Sequence, residues 1–325
     1  MKAIVYKKYG PPEVLHIADV EKPIPKANEI LIRIKAAEAT KADCEMRSFH
    51  FPVKWFWLPL RIAMGIRKPR NSILGGYFSG VVEAVGKDVS RFKPSDSIFG
   101  AAKLKMGTYG EYLCLPGNYT IAPKPSNMSF AEAAAVPLGG LNALHFLGNG
   151  KIKKGESVLI NGAGGSIGTF AVQIAKATGA IVTAVDSGIK EAMLRDIGTD
   201  KFIDYAQEDF SQSDQRYDVI FNMVAQNSFS KSVKVLKPQG RYLTGNPKVS
   251  DMLRSFITSR FTDKSASFAF AEESQEELEA LKDLIEAGTM GSVVDRVYPM
   301  EQAAEAHRRV ETEQRIGSVV ISIGN

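Results

Sequence analysis

The stretch Asn161-Gly162-Ala163-Gly164-Gly165-Ser166-Ile167-Gly168 decides the fold, because it follows a predicted strand and opens a predicted helix. A pyrophosphate can approach the N–H groups at a helix N-terminus only where no Cβ blocks it. The strict pattern G-x-G-x-x-G is not met, but the register Ala163-x-Gly165-x-x-Gly168 meets it with alanine in the first place. We therefore expect a dinucleotide to bind Gly162, Ala163, Gly164, Gly165, Ser166, Ile167 and Gly168.

An ordinary strand-to-helix turn without a ligand is the alternative interpretation of this stretch. It contains four glycines in the seven residues 162–168, and each glycine loses more backbone entropy on folding than any other residue. A turn with no ligand to accommodate has no need of so many. We favour dinucleotide binding.

Predicted strands and helices alternate from residue 157 onward. The strands lie at 158–160, 181–185, 201–203, 219–221 and 241–243, and the helices at 167–178 and 190–197. This alternation is typical of an α/β protein with a doubly wound parallel sheet. The first third consists of predicted strands and turns, and the tail of two helices and a closing strand over 317–323. We therefore predict an inserted dinucleotide-binding domain over 125–264 and a discontinuous second domain over 1–124 and 265–325.

Composition excludes several classes of protein. The net charge of +5 is mild, and no basic run interleaved with aromatic residues indicates nucleic-acid binding. The two cysteines, Cys44 and Cys114, form no CxxC pair and cannot build a disulfide framework, so no cysteine zinc lobe is expected. The first residues, MKAIVYKKYG, lack the apolar core of a signal peptide. We expect a cytoplasmic protein.

One apolar segment, residues 51–64, raises the question of a membrane. It is shorter than the roughly 20 residues that span a bilayer, and prolines and basic residues interrupt it. Contact with a membrane surface stays open, because tryptophan and basic residues settle at headgroups. We favour a flap over a substrate cleft, in which Trp55, Phe56 and Trp57 help admit large apolar substrates, or a subunit contact.

The residues after the second predicted strand point in two directions. Asp186 lies about 20 residues past the glycine turn, where an acid accepts hydrogen bonds from a ribose 2′-hydroxyl and repels a 2′-phosphate. Ser187 and Lys190 follow at once and would suit a phosphate, although Lys190 is equally well explained as a solvated residue at a helix start. The residues alone leave NADH against NADPH open.

With these segments in view, the sequence resembles the medium-chain dehydrogenase/reductase superfamily, and within it the zinc-independent quinone oxidoreductase-like branch. The resemblance covers nearly the whole chain. Its carriers are residues 1–4 with 10–15, Gly80-Val-Val-Glu-Ala-Val-Gly86, the stretch 133–141, Val158 to Lys176, and Leu236-Lys-Pro-Gln-Gly240. It implies a GroES-like, mostly-β catalytic domain with an inserted Rossmann domain, and a substrate between them.

The resemblance also bears on metal binding. Zinc-using members carry a cysteine and a histidine where this chain has Thr40 and Gly75-Gly76-Tyr77. Neither replacement can hold zinc tetrahedrally. Cys44 stands four residues late and is expected to be a buried thiol. We therefore expect no metal site and no catalytic zinc.

The function implied by the resemblance is hydride transfer from NAD(P)H to a quinone or an α,β-unsaturated carbonyl. Such a protein mainly orients its partners and donates a hydrogen bond to the developing enolate oxygen. Two alternatives stay open: a zinc-independent alcohol or carbonyl oxidoreductase, and a nucleotide-binding scaffold without turnover. We expect a homodimer acting on a small apolar carbonyl or quinone, with no nucleic-acid partner.

Further site residues are carried over from the family. Lys190 and Tyr205 stand where NADPH-binding members hold the 2′-phosphate, so NADPH is favoured over NADH in spite of Asp186. Asn142 corresponds to a threonine near the nicotinamide, and Gly245 to a loop where backbone approaches the cofactor. The substrate-side candidates are Thr40, Asp43 and Tyr77, with a structural role for Asp43 slightly favoured and Tyr77 undecided between cleft and core. His145 and His307 are expected to pack without a ligand.

Overall fold

The alternation predicted after residue 157 is present in the structure, a computed structural model that describes residues 1–51, 57–245, 248–268 and 273–324. The strands are β1 Lys2–Val5, β2 His16–Asp19, β3 Glu29–Ala39, β4 Tyr77–Val85, β5 Ser97–Ala101, β6 Tyr112–Pro116, β7 Ile121–Pro123, β8 Ser157–Asn161, β9 Ile181–Asp186, β10 Lys201–Asp204, β11 Tyr217–Asn222, β12 Leu236–Thr244, β13 Ser265–Phe268, β14 Val294–Pro299 and β15 Ser318–Ser322. The helices are α1 Lys41–Ser48, α2 Trp57–Met64, α3 Phe130–Ala134, α4 Val136–Gly150, α5 Ser166–Ala177, α6 Glu191–Asp196, α7 Phe229–Lys234, α8 Val249–Phe261, α9 Gln275–Glu286 and α10 Ala303–Glu311.

The chain divides into two compact units. One comprises residues 1–138 and 273–325, and the other comprises residues 139–272. The predicted boundaries, 124/125 and 264/265, both lie closer to the N-terminus than the boundaries between these units. At the first boundary, α3 packs on β3 and β4, and Ser79 Oγ donates a hydrogen bond to Phe130 O at 2.5 Å. At the second boundary, β13 pairs with β12 in the sheet of the inserted unit.

The inserted unit is built on a six-stranded parallel sheet in the order β10-β9-β8-β11-β12-β13. Strands β8 and β11 contain fully buried apolar runs, 158–160 and 219–221, as expected for strands covered on both faces. Helix α5 packs on β8 and β9 with an apolar face of Phe170, Ala171, Val172, Ile174 and Ala175. The strand order reverses between β8 and β11, and ligands of such sheets bind outside the carboxyl ends of the strands at that point.

The other unit is mostly β-structure. Its main sheet runs β14-β15-β3-β4-β5-β7, with β6 paired to β3 as well, and β1 and β2 form a separate antiparallel pair. Strand β3 has the pattern of a strand with one more exposed face, since Ile30, Ile32 and Ile34 are buried and Arg33 is exposed. Because β3 pairs with β15, β4 and β6, it is the central strand of the unit.

Several elements differ from the sequence-based expectation. The stretch between β7 and β8 forms two helices, α3 and α4, and the first begins at a capping box of Ser129 and Glu132. The first third contains two helices, α1 and α2, as well as strands and turns, and β13, β14 and α8 were not predicted either. Strand β13 is four residues long and mostly exposed, so it lacks the apolar run that marks a buried parallel strand.

The apolar segment 51–64 is helical where the structure describes it. Residues 52–56, including Trp55 and Phe56 of the predicted flap, lie outside the described residues, and Trp57–Met64 is α2. Across the described chain, no helix is both long enough and apolar enough to cross a bilayer.

Candidate functional site

The glycine turn connects β8 to α5 and is bonded to the neighbouring strand. The N–H groups of Gly162 and Ala163 both donate to the carbonyl of Val185 in β9, at 3.0 and 3.2 Å. Gly162 has a φ of +87°, which favours glycine. A Cβ at Gly168 would overlap the backbone of Gly162 and Ala163, so the helix and the turn approach each other as closely as two backbones can. These contacts give the turn its shape in the absence of any ligand.

Helix α5 begins directly after the turn, with Gly165 as its N-cap in an extended conformation. The N–H groups of the first helical turn have no acceptor within the helix and carry the positive end of the helix dipole. A Cβ at Gly165 would meet no atom closer than Gly162 O at 3.8 Å, so the space in front of the helix is open on that side. This end of α5 therefore fits a pyrophosphate.

Asp186, Lys190 and Gly164 form one buried network at the end of β9. The Asp186 Oδ2 accepts from Gly164 N at 2.7 Å, and its Oδ1 accepts from Ser187 N at 2.8 Å. Lys190 Nζ pairs with the same Oδ1 at 2.8 Å, and both charged side chains are only 7% exposed. A Cβ at Gly164 would overlap Lys190 Cδ. From the sequence, Asp186 is expected to repel a 2′-phosphate and Lys190 to attract one. In the structure, the charges of these two side chains neutralise each other.

The remaining residues predicted to bind cofactor lie at several places in this unit. Tyr205 is 62% exposed, and its N–H donates to the carbonyl of Asp186 at 3.2 Å, which brings it to the network. Asn142 is on α4, one turn from Gly139, where a Cβ would overlap the carbonyl of Ser166. Asn142 is therefore on the helix face that approaches the start of α5. Gly245 follows the carboxyl end of β12.

An asparagine pair at the point of strand reversal was missed by the sequence analysis. Asn161 Nδ2 donates to Asn222 Oδ1 at 2.8 Å, and Asn222 Nδ2 donates to Val224 O at 3.1 Å. The two side chains are buried and end β8 and β11, the strands on either side of the reversal. The signal was available, because each asparagine ends an apolar run at the carboxyl end of a parallel strand.

The substrate-side candidates Thr40 and Asp43 form the capping box of α1. Asp43 Oδ2 accepts from Thr40 N at 3.0 Å and from Thr40 Oγ1 at 2.6 Å, and Asp43 N donates to Thr40 Oγ1 at 3.1 Å. Asp43 Oδ1 accepts from Gly75 N at 3.0 Å. Burial raises the pKa of Asp43, while the bonds from Thr40 and Gly75 act in the opposite direction. Asp43 therefore joins the two segments that carry zinc ligands in zinc-using relatives.

Tyr77 is hydrogen-bonded to Glu273, a residue that sequence reasoning did not single out. Burial raises the pKa of the Tyr77 phenol well above its ordinary value, and burial also raises the pKa of the Glu273 carboxyl. The two residues are almost two hundred positions apart, and nothing in the sequence around either one indicates the pairing. The pair holds Tyr77 within its own domain.

A second buried network packs α1 against α10. His307 Nε2 lies 3.1 Å from Tyr109 OH, and His307 Nδ1 lies 3.1 Å from an Arg47 nitrogen and 3.4 Å from Cys44 Sγ. Burial, assisted by the charge of Arg47, lowers the pKa of His307 to about 3, so the imidazole is neutral at pH 7. Burial raises the pKa of the Cys44 thiol, which is buried as predicted. The packing role predicted for His307 agrees with these contacts.

Metal-ligating side chains do not converge in this structure. Within the described ranges, no group of three or more histidine, cysteine, aspartate or glutamate side chains is arranged to hold a metal ion. The segments around Thr40 and Gly75 offer the Thr40 hydroxyl, the Asp43 carboxylate and the Gly75 backbone. The carboxylate already accepts hydrogen bonds from the hydroxyl and from the backbone N–H.

Known proteins share both halves of this architecture. Residues 26–137 match the alcohol dehydrogenase GroES-like domain, and residues 197–321 match the zinc-binding dehydrogenase family. The quinone oxidoreductase of Sus scrofa is 31% identical over 95% of this chain and 94% of its own length. The chain belongs to the medium-chain dehydrogenase/reductase family, in its quinone oxidoreductase-like branch.

Two further relatives of this family are similar over nearly the whole chain. The 2-methylene-furan-3-one reductase of Solanum lycopersicum is 30% identical over 99% of this chain and 79% of its own length. The structure of the quinone oxidoreductase from Coxiella burnetii superposes with a TM-score of 0.88, at 28% identity over 100% of this chain and 99% of that one. The GroES-like and Rossmann fold prediction is therefore confirmed.

One family description names zinc, and the composition of the residues that it matches bears on that name. The matched range 197–321 contains no cysteine and a single histidine, His307. His307 is fully buried, and its two ring nitrogens lie at hydrogen-bond distance from Tyr109 and Arg47. The matched range covers the later part of the inserted unit and most of residues 273–325.

The two glycines of the turn are expected to separate folding from cofactor binding. Gly165→Ala should leave the midpoint of thermal unfolding near that of the wild type, because a Cβ there meets open space. It should weaken binding of NADPH and NADH roughly tenfold or more, because the Cβ would occupy the approach of a pyrophosphate. Gly168→Ala should lower both stability and binding, because its Cβ overlaps backbone. Differential scanning fluorimetry and cofactor fluorescence titration measure the two effects, and unchanged binding by Gly165→Ala would refute the assignment of the turn.

Proposed function

We propose that this protein is an NAD(P)H-dependent reductase that transfers hydride to a quinone or an α,β-unsaturated carbonyl without catalytic zinc. The observation that carries the proposal is the glycine turn opening α5 where the strand order of a parallel sheet reverses. The curated relatives add support, since their names are quinone oxidoreductase and 2-methylene-furan-3-one reductase. The dinucleotide, when bound, supplies the hydride.

The residues of the turn have a binding role in this proposal. The open N-terminus of α5 would hold the pyrophosphate through backbone N–H groups, and the lack of a Cβ at Gly165 would permit its approach. The hydrogen bond from Gly164 to Asp186 orients the turn before any ligand arrives. Such preorganisation lowers the entropy that is lost on binding.

The substrate-side residues are positioned to organise the site rather than to exchange protons. The Thr40 hydroxyl donates to Asp43, and both carboxylate oxygens of Asp43 accept hydrogen bonds inside the protein. The Tyr77 phenol is bonded to Glu273. Since the hydroxyl protons of Thr40 and Tyr77 have internal partners, we propose that water delivers the proton that follows hydride transfer.

Turnover distinguishes this function from its two alternatives. We expect oxidation of NADPH or NADH, followed at 340 nm, with quinones or with enones, and unchanged rates after treatment with a zinc chelator. Reduction of simple ketones, or oxidation of alcohols, in preference to both classes would favour the alcohol or carbonyl oxidoreductase. Tight cofactor binding without turnover of any acceptor would favour the non-catalytic scaffold.

We propose that NADPH is preferred over NADH by a small factor, below about tenfold. Lys190 would attract a 2′-phosphate, but Asp186 already neutralises it at 2.8 Å and would repel the same phosphate. The exposed Tyr205 beside the pair supplies a second contact for the phosphate. A neutral pair discriminates less than a free cation does, because the attraction and the repulsion largely cancel.

Variants of the Asp186–Lys190 pair test this preference. Lys190→Ala should weaken NADPH binding by about 1 to 3 kcal/mol while sparing NADH, because it removes a charge-assisted contact and leaves a carboxylate facing the phosphate. Asp186→Ser should strengthen NADPH binding, because it frees Lys190. The double variant carries neither charge and should lose most of the preference for NADPH, and it should bind both cofactors more weakly than the wild type, because Gly164 N loses its carboxylate acceptor. Equal loss of both cofactors in Lys190→Ala would contradict a role in reading the 2′-phosphate.

We further propose that the protein is a homodimer whose subunits meet at β13 and α8. Strand β13 is the outer strand of the described sheet, and Ser259 Oγ on α8 bonds both the N–H and the carbonyl of Ala266 in β13. Helix α8 exposes an apolar face of Val249, Leu253, Phe256, Ile257 and Phe261. Exposed strand edges and large apolar faces are features that proteins usually cover.

Sedimentation equilibrium tests the homodimer. The wild type should have twice the chain mass of 35.4 kDa, and Leu253→Ser with Ile257→Ser should return it to the mass of one chain. Both side chains are exposed in the single chain, so the substitution should not lower the midpoint of thermal unfolding of the monomer. A wild type of 35.4 kDa at micromolar concentration would rule the dimer out.

The cellular setting in this proposal is reducing and cytoplasmic. Cys44 and Cys114 are both free and buried, so neither depends on an oxidising compartment. The sequence shows no basic run of the kind that binds nucleic acid, and we propose none as a partner.

A further inference from the structure

The chain contains a long stretch without acidic residues. Over the whole protein about one residue in nine is Asp or Glu, yet none occurs in the 37 residues between Glu45 and Glu83. The same stretch contains six cations: Arg47, Lys54, Arg61, Arg67, Lys68 and Arg70. Of these, Arg47 is buried and paired with Glu311, which leaves a concentration of positive charge around α2.

Helix α2 presents an apolar strip to solvent. None of its residues is buried, and Leu58 and Ile62 are 61% and 51% exposed. Residues four apart lie on the same face of a helix, so Leu58 and Ile62 share one face. Ile66, 64% exposed, follows just beyond the end of the helix, and Trp57, at the start of the helix, is half-exposed.

An adjacent side of α2 is attached to the protein, while Leu58 and Ile62 remain exposed to solvent. The Arg61 guanidinium lies over the rings of Tyr9 and Phe49, at 4.2 and 4.3 Å from their centroids. Tyr9 OH donates to the carbonyls of Met64 and Gly65 at 3.1 and 2.9 Å, which satisfies the end of the helix. The ring of Trp57 contacts Phe49 edge-on at 5.8 Å between centroids.

Three cations follow the strip directly. Arg67, Lys68 and Arg70 are exposed, and no carboxylate in the described part of the chain pairs with them. The turn that carries them is tight, because Arg70 N donates to Met64 O at 2.8 Å and Gly65 has a φ of +118°. The cations therefore stay next to the aliphatic strip.

We propose that the α2 strip, Leu58, Ile62 and Ile66 with Arg67, Lys68 and Arg70, docks on the surface of an anionic phospholipid bilayer. Aliphatic side chains and a tryptophan beside unpaired basic residues are the combination that binds at the headgroup boundary. The eight-residue helix is about 12 Å long, far too short to span, so it lies in the plane of the surface. A protein partner with an acidic groove would match the charge of the three cations. It would match the apolar strip less well, because the strip has no anchor residue of the kind that fills a pocket on a partner.

The docking proposal does not rest on the proposed reductase activity, and the two can fail separately. NADPH oxidation with a water-soluble quinone is measured without lipid, and lipid binding is measured without cofactor. If both hold, docking would bring the protein to the phase in which apolar quinones dissolve.

Tryptophan fluorescence gives a direct test, because Trp55 and Trp57 are the only tryptophans in the chain. Vesicles of phosphatidylcholine with roughly one third phosphatidylglycerol should shift the tryptophan emission to shorter wavelength. The full-length protein should float with these vesicles in a density gradient. Pure phosphatidylcholine vesicles should do neither, and raising the salt to about 0.5 M should release the protein. No flotation with anionic vesicles, or equal flotation with neutral ones, would overturn the proposal.

Matched variants separate the strip from general stickiness. Leu58→Ser with Ile62→Ser should lower the partition coefficient roughly a hundredfold, and Arg67→Ala with Lys68→Ala about tenfold. The controls are Ile24→Ser with Leu104→Ser, which are more exposed but isolated apolar residues, and Lys153→Ala with Lys154→Ala, an exposed basic pair elsewhere. Losses as large in the controls would overturn the proposal, as would a concentration-dependent dimer that depends on Leu58 and Ile62 without flotation.

Discussion

The hydrogen bond from Gly164 N to the buried carboxylate of Asp186 is the contact on which the cofactor end of the protein depends. It joins the turn after the first strand of the Rossmann sheet to the end of the second strand, across a distance that only a glycine leaves open. The same carboxylate binds Lys190, so one side chain shapes the phosphate turn and tunes the group that would read a 2′-phosphate. A substitution of Asp186 would therefore change both the hydrogen bonding of the turn and the surroundings of the Lys190 ammonium.

A comparable carboxylate organises the other domain. Asp43 caps α1 through Thr40 and reaches across to Gly75, so it bridges the two segments that supply metal ligands in zinc-using members of the family. Hydrogen bonds among a hydroxyl, a carboxylate and a backbone N–H take over the cross-linking of the two segments. The network of His307, Tyr109 and Arg47 then ties α1 to the C-terminal helix.

The apolar segment after α1 shows how one composition is open to several interpretations until its surroundings are known. Its tryptophan and aliphatic residues are compatible with a flap, a subunit contact or a membrane surface, and the sequence favours the first two. The aromatic residues Tyr9 and Phe49 hold one side of α2, and that attachment leaves the aliphatic residues outward beside unpaired cations. Which side of a short helix is covered depends on contacts with residues far from it in sequence, so periodicity within eight residues could not decide it.

The sequence by itself determined the class of fold, the place of the glycine turn between β8 and α5, and the family, because these depend on local patterns: a glycine spacing, apolar strands of regular length and helices between them. Asn161 and Asn222 were within its reach, since both end apolar strands. Only the tertiary structure decided that Asp186 and Lys190 neutralise each other, that Asp43 bonds Gly75, that Tyr77 meets Glu273 and that β13 joins the Rossmann sheet. In each of these contacts, folding gives a charged or polar group its partner. A sequence pattern indicates which groups need partners, but not which partners they find.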